Sequence, residues 1–170
     1  MKLIQLLSII FITSTSFAQS FKKYPVSNSG CSLYSFCDVK YEFKYSQDSS
    51  KVWTGECSSG EVVYGVICVK FLNAIADLEV AENLMISYIE HLKVSFEIKK
   101  SAGYGKGHRL NNNENTRGIL DYWEDKDSYK WKIKAWTDGQ FIGFMYAYSK
   151  KDLPEAKVNV FLDGLRFPEM

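Results

Sequence analysis

Residues 130 to 149 read KWKIKAWTDGQFIGFMYAYS, and the way this stretch folds decides what the rest of the chain must do. Trp131, Ile133 and Ala135 alternate with Lys130, Lys132 and Lys134. Beyond the TDG turn, Ile142, Phe144, Tyr146 and Tyr148 again fall on every second position. Successive side chains of a strand point to opposite faces, so a period of two marks a half-buried strand, whereas a helix needs spacings of three and four. The stretch predicts an antiparallel hairpin with one apolar face. Its other face carries a lysine ladder, which reads as a solvated surface or as one offered to an acidic partner or an anionic envelope surface.

An apolar sheet face needs a cover. Upstream, between Asn73 and Ile98, the residues Leu78, Ala81, Met85, Tyr88, Leu92 and Phe96 follow one another at helical spacing, the stripe of one long amphipathic helix. Asn73 and Asp77 both qualify as its N-cap, because a short side-chain oxygen can accept from the amides that the first turn leaves free. Between helix and hairpin, GKGHRLN and RGILDYWED predict two strands around the polar loop NNENT. Ahead of the helix, YEFKYS, KVWTGEC and VVYGVICVKF, separated by QDSS and SSGE, predict three more antiparallel strands. After the hairpin, Leu153, Ala156, Val160, Phe161 and Gly164 predict a short second helix that begins at Pro154 and cannot pass Pro168. The predicted class is α+β: an antiparallel sheet packed by one long central helix and a short C-terminal helix. The predicted boundaries are a leader over 1–18, an N-terminal cysteine-containing segment over 19–40 and a single α+β domain over 41–168.

The opening MKLIQLLSIIFITSTSFA sets Lys2 ahead of an apolar run and ends in Ser16-Phe17-Ala18, the pattern of a secretory signal peptide. That run is shorter than the ~20 residues of a membrane-spanning helix, and no later stretch reaches that length without charges. The expected product is a periplasmic or secreted chain that begins at Gln19. Losing the leader removes one of the 21 Lys and Arg and none of the 20 Asp and Glu, which leaves a formally neutral protein. Phosphate neutralisation demands a basic excess, so a nucleic-acid partner is not expected.

Cys31, Cys37, Cys57 and Cys68 all fall in the first half of the chain, and in an oxidising compartment they predict disulfides. Their spacings fit no zinc knuckle. If Tyr45 pairs with Lys51 in the first hairpin, Cys57 faces residue 39, which leaves a Cys37 to Cys57 bridge geometrically open. In the second hairpin Cys57 pairs near Val62, which places Cys68 about 20 Å further along and argues against a Cys57 to Cys68 bond. Cys68, inside VVYGVICVKF, also reads as a plain buried thiol.

The order of elements, the glycine-rich GYGKGHR after the helix, RGILDYW in the next strand and the closing FLDGLRF resemble the PsbP and DcrB group of α/β sandwiches across about Tyr41 to Phe167. The resemblance implies a small exported binding or accessory module without catalytic activity. It carries no functional residue over to a numbered position here.

GYGKGHR is no Walker loop, because that pattern needs Gly-x4-Gly-Lys-Ser/Thr ahead of a helix, and here a third glycine and a strand follow. Gly103, Gly105 and Gly107 read as a bend or a close backbone approach. The sharper alternative is an anion or ligand groove to which Lys106, His108 and Arg109 supply charge. Neither DYWEDKD nor NNNENTRGILDY places glycine and glutamate where a calcium loop needs them. No catalytic motif accompanies His91 and His108, the chain's two histidines. These features predict a binding protein, with no enzyme activity, metal or cofactor. In the first reading its sheet engages an envelope protein through Trp123, Lys132, Trp136 and Tyr148. In the alternative it carries a small apolar or anionic ligand between helix and sheet, with the glycine-lined strand and His108 at the mouth.

Overall fold

The computed structural model describes residues 21–168, so the predicted leader and Gln19 lie outside the described residues. The hairpin at 130–149 forms as its alternation requires. Strands β9 (Lys130–Thr137) and β10 (Phe141–Ser149) pair antiparallel, with Trp131 opposite Tyr148 and Ala135 opposite Phe144. With β3 (Lys40–Tyr45), β4 (Lys51–Ser59), β5 (Val62–Lys70), β6 (Ile98–Ser101), β7 (Gly105–His108) and β8 (Arg117–Asp125) they build an eight-stranded sheet. Its strand order is β3-β4-β5-β10-β9-β8-β6, and β7 pairs with β8 off that path. A smaller three-stranded sheet joins β1 (Lys22–Pro25), β2 (Ser32–Ser35) and β11 (Leu165–Arg166). The helices are α1 (Leu78–Ser95) and α2 (Glu155–Leu162).

This arrangement overturns the expected α+β class with one long central helix. Strand takes up 46% of the described residues and helix 20%, so the fold is mostly β. Nor is α1 central, for it packs over β9, β8 and β6 at one end of the large sheet. Strands as short as four residues carry too little alternation to be read, and β11 exists because Leu165 pairs with Leu33 from the other end of the chain. The N-terminal cysteine segment therefore packs with the C-terminus, its Val26, Cys31 and Leu33 sharing one apolar cluster with Val158, Phe161 and Leu165.

Each face of the large sheet has its own core. Ile133, Ala135, Ile142, Phe144 and Tyr146 point to the side of α1, where Met85 and Ile89 meet them. Trp53, Tyr64, Cys68, Trp136 and Met145 point the other way, toward α2 and the small sheet. The lysine ladder belongs to this second face, and the chain's own acids meet it there: Lys130 pairs with Asp152, Lys132 with Glu155 and Lys134 with Asp163. Lys132 is buried, its side chain only 4% exposed beneath α2.

Local boundaries follow backbone chemistry. Of the two candidate caps Asp77 does the work, its carboxylate accepting from the amides of Glu79 at 2.8 Å and Val80 at 3.3 Å. The helix stops at Phe96 because Glu97 turns left-handed at φ 54°, and Ile98, expected to be helical, opens β6. In the first hairpin Tyr45 does pair with Lys51, and Cys37 and Cys57 form a disulfide. In the second, Cys57 pairs with Tyr64, two residues beyond Val62. Cys31 and Cys68 are free thiols, both buried. Among the described residues no helix is long and apolar enough to cross a membrane.

Candidate functional site

One helix cannot cover so wide a sheet. Seven strands in a row span roughly 29 Å at about 4.8 Å per step, and a helix with its side chains covers about 10–12 Å of that width. With α1 placed over β9, β8 and β6, the same face lies open above β3, β4 and β5. There Val52, Thr54, Ile67 and Val69 form a floor beside Phe144 and Tyr146. Tyr88, Leu92 and Phe96 of α1 make the facing wall. Together they bound a cleft of about 490 Å3 with Lys44, Gln47, His91 and Ser95 at its rim.

The predicted helical stripe thus divides into two jobs. Ala81 and Met85 are buried on the sheet together with Ile89, which the predicted stripe did not include, whereas Tyr88, Leu92 and Phe96 stay half-buried because they face the cleft. At one end of the cleft the Tyr146 hydroxyl donates to Glu56 Oε1 at 2.9 Å. Burial, then the neighbouring Glu56 carboxylate, pushes the Tyr146 hydroxyl far above the ordinary tyrosine range. The same two causes push Tyr148 up to about 12. Both phenols therefore remain neutral donors at any physiological pH. Behind them an aromatic stack continues, with Trp131 lying 4.1 Å from Tyr148 and 5.0 Å from Phe96 between ring centroids.

Tyr146 reaches Glu56 because residue 65 is glycine. A Cβ there would come within 2.1 Å of the Tyr146 ring. Gly65→Ala is expected to destabilise the fold by about 1–3 kcal/mol through overpacking and to break the Tyr146 to Glu56 hydrogen bond. Chemical denaturation checks the first effect. A double-mutant cycle with Tyr146→Phe checks the second, because the two substitutions should be non-additive once the hydrogen bond is gone.

A buried charge ties α1 to the sheet beside its apolar contacts. Asp121 is 0% exposed in mid-β8 and points at the helix. It accepts from the Tyr122 amide at 2.8 Å, Ser101 Oγ at 2.9 Å and Trp123 Nε1 at 2.6 Å, and it pairs with Lys93 of α1 at 3.2 Å. Lys93 also lies 4.5 Å from the Tyr104 ring centroid and 3.1 Å from Glu90.

The residues singled out from sequence come apart in space. Trp123 and Trp136 are buried, at 4% and 2% exposure, so neither presents a surface to a partner. Trp123 serves Asp121, while Trp136 lies over Gly118 and donates from Nε1 to the Leu162 carbonyl at 3.3 Å. Lys132 is covered by α2, and Tyr148 is half-buried on the Trp131 ring. Lys106, His108 and Arg109 lie at the edge of the sheet away from β3, with Lys106 exposed and His108 edge-on to Trp136. Gly103 and Gly107 have φ of +90° and +92° with open space where a Cβ would go, so they supply a bend rather than a close approach. The cleft residues Thr54, Ile67 and Val69, and Glu56 behind the Tyr146 hydroxyl, were not among the expected sites. Their one sequence signal is a helical stripe longer than its small, tightly packed part.

No known family model matches the chain, and no curated protein matches it.

Proposed function

We propose that this is an exported, non-enzymatic binding protein that carries a small, mostly apolar ligand in the cleft between α1 and the sheet. One observation carries the reading: a cleft of about 490 Å3 whose floor and wall are mostly aliphatic and aromatic, with Thr54 the polar side chain of the floor and the other polar groups toward the ends and rim. Small-molecule sites combine this range of size with this kind of lining. The ligand lies between helix and sheet, as the alternative sequence reading expects, but above β3–β5 and not beside Gly103–Gly107. The Cys37 to Cys57 disulfide agrees with a compartment outside the reducing cytoplasm.

An anilinonaphthalene sulfonate dye, apolar with one anionic group, is a direct probe. The folded protein is expected to bind it with a blue-shifted emission, and Thr54→Phe, which fills the floor, should weaken binding about tenfold (~1.4 kcal/mol) at an unchanged thermal midpoint. Failure of the folded protein to bind the dye, or equal binding by Thr54→Phe, would remove the carrier reading. The accessory-module reading then takes its place. Its surface would be edge strand β3, where Phe43 and Tyr45 are 49% and 62% exposed.

A further inference from the structure

Cys31 ends the turn between β1 and β2. Its carbonyl accepts from the Val26 amide at 2.9 Å, and its own amide donates to Ser29 Oγ at 3.0 Å. Cys68 lies within β5, opposite Gly143 on one side and Trp53 on the other. Both side chains are buried, at 2% and 0% exposure, and their sulfurs stand 3.5 Å apart. Four cysteines allow three pairings, and the Cys37 to Cys57 bond leaves one partner for each of the remaining two.

We propose that Cys31 and Cys68 form the protein's second disulfide, which ties the β1–β2 turn to the large sheet on the face away from the cleft. With Cys37 already bonded to Cys57 on β4, two nested bridges then fix the N-terminal segment on adjacent strands. The oxidant is a donor disulfide, either glutathione disulfide or that of a thiol oxidoreductase. The Cys31 thiolate attacks one donor sulfur, the donor S–S bond breaks, and the departing donor sulfur takes up a proton. Cys68, giving up its own proton, then displaces the second donor thiol and closes the bond. The chain loses two electrons and two protons, and the donor leaves as two thiols.

Timing follows from burial. In the folded chain the hydrogen bond to Cys31 and the apolar surroundings hold the Cys68 thiol well above its ordinary range, so it is a poor nucleophile there. Exchange therefore runs while the turn at 26–31 is still undocked, and the finished bond is shielded from reductant.

The test refolds the reduced, denatured chain in a glutathione redox buffer, denatures it again in iodoacetamide without reductant, and weighs it. The expected product carries no alkylated cysteine, is lighter than the reduced chain by two hydrogens for each of two bridges, and yields a linked Cys31 to Cys68 peptide on proteolysis. Cys31→Ala should then expose a single labelled residue, Cys68, with the Cys37 to Cys57 peptide intact. Two labelled cysteines in the unmutated chain, or a peptide linking Cys31 to Cys37 or Cys57, would overturn the proposal. If Cys31→Ala fails to fold, the label count of the unmutated chain decides. No ligand or partner enters this experiment, so its result is independent of the carrier reading.

Discussion

Replacing Asp121 with alanine is expected to remove about 3–5 kcal/mol of folding free energy, the loss typical when one member of a buried ion pair is deleted. The carboxylate is fully buried and gathers four donors, from Ser101, Tyr122, Trp123 and Lys93. Alanine removes the acceptor, leaves the Trp123 indole N–H without one, and leaves the Lys93 ammonium, whose side chain is only 15% exposed, with the exposed Glu90 as its remaining carboxylate. A total stability of about 5–15 kcal/mol leaves little margin for such a loss. Urea titration should show the midpoint fall steeply with an unchanged slope. Asp121→Asn fills the same volume but has one acceptor oxygen in place of two, so it serves either the Tyr122 amide or the Trp123 indole and removes the charge that Lys93 answers; its cost should still be smaller, about 1–3 kcal/mol. A cost below about 1 kcal/mol for alanine would mean that apolar packing by Met85 and Ile89 alone positions α1.

Alternation made the two faces of β9 and β10 legible, and helical spacing made α1 legible, because each is a property of neighbouring residues. What covers each face is not. The sequence of Lys130, Lys132 and Lys134 looks solvated until Asp152, Glu155 and Asp163 arrive from 20 to 30 residues later to pair with them. Trp123 and Trp136 look like interface anchors for the same reason, since aromatic content says nothing about which ring a later helix will bury. The cleft was harder still. It exists because α1 lies over β8 and β9 instead of β4 and β5, where Met85 and Ile89 enter the apolar cluster and Lys93 meets Asp121, contacts that no spacing rule marks. In retrospect the hint is that Tyr88, Leu92 and Phe96 are larger than Ala81 and Met85 need them to be. The small sheet left no periodic trace at all, because a two-residue β11 is defined by its partner, Leu33, and not by its own pattern.

Deleting the Cys37 to Cys57 bond by the double substitution Cys37→Ala and Cys57→Ala should cost about 3 kcal/mol, the loop-closure entropy expected for a separation of 20 residues. For a chain of this size that corresponds to a fall in thermal midpoint of roughly 6–12 °C, measurable by calorimetry. The loss acts chiefly on the unfolded chain, so the folded cleft should survive it. Strand geometry gives a reason: Cys57 and Glu56 are consecutive on β4 and point to opposite faces, the one toward Ser35 and the bridge, the other toward Tyr146 and the cleft. Pairing of β4 with β3 on one side and β5 on the other holds Glu56 in place without the bridge. Dye affinity below the new midpoint is therefore expected to match that of the bridged protein. A parallel loss of affinity and stability would instead show that the disulfide, acting through β4, also sets the position of the Glu56 carboxylate and with it the end of the cleft.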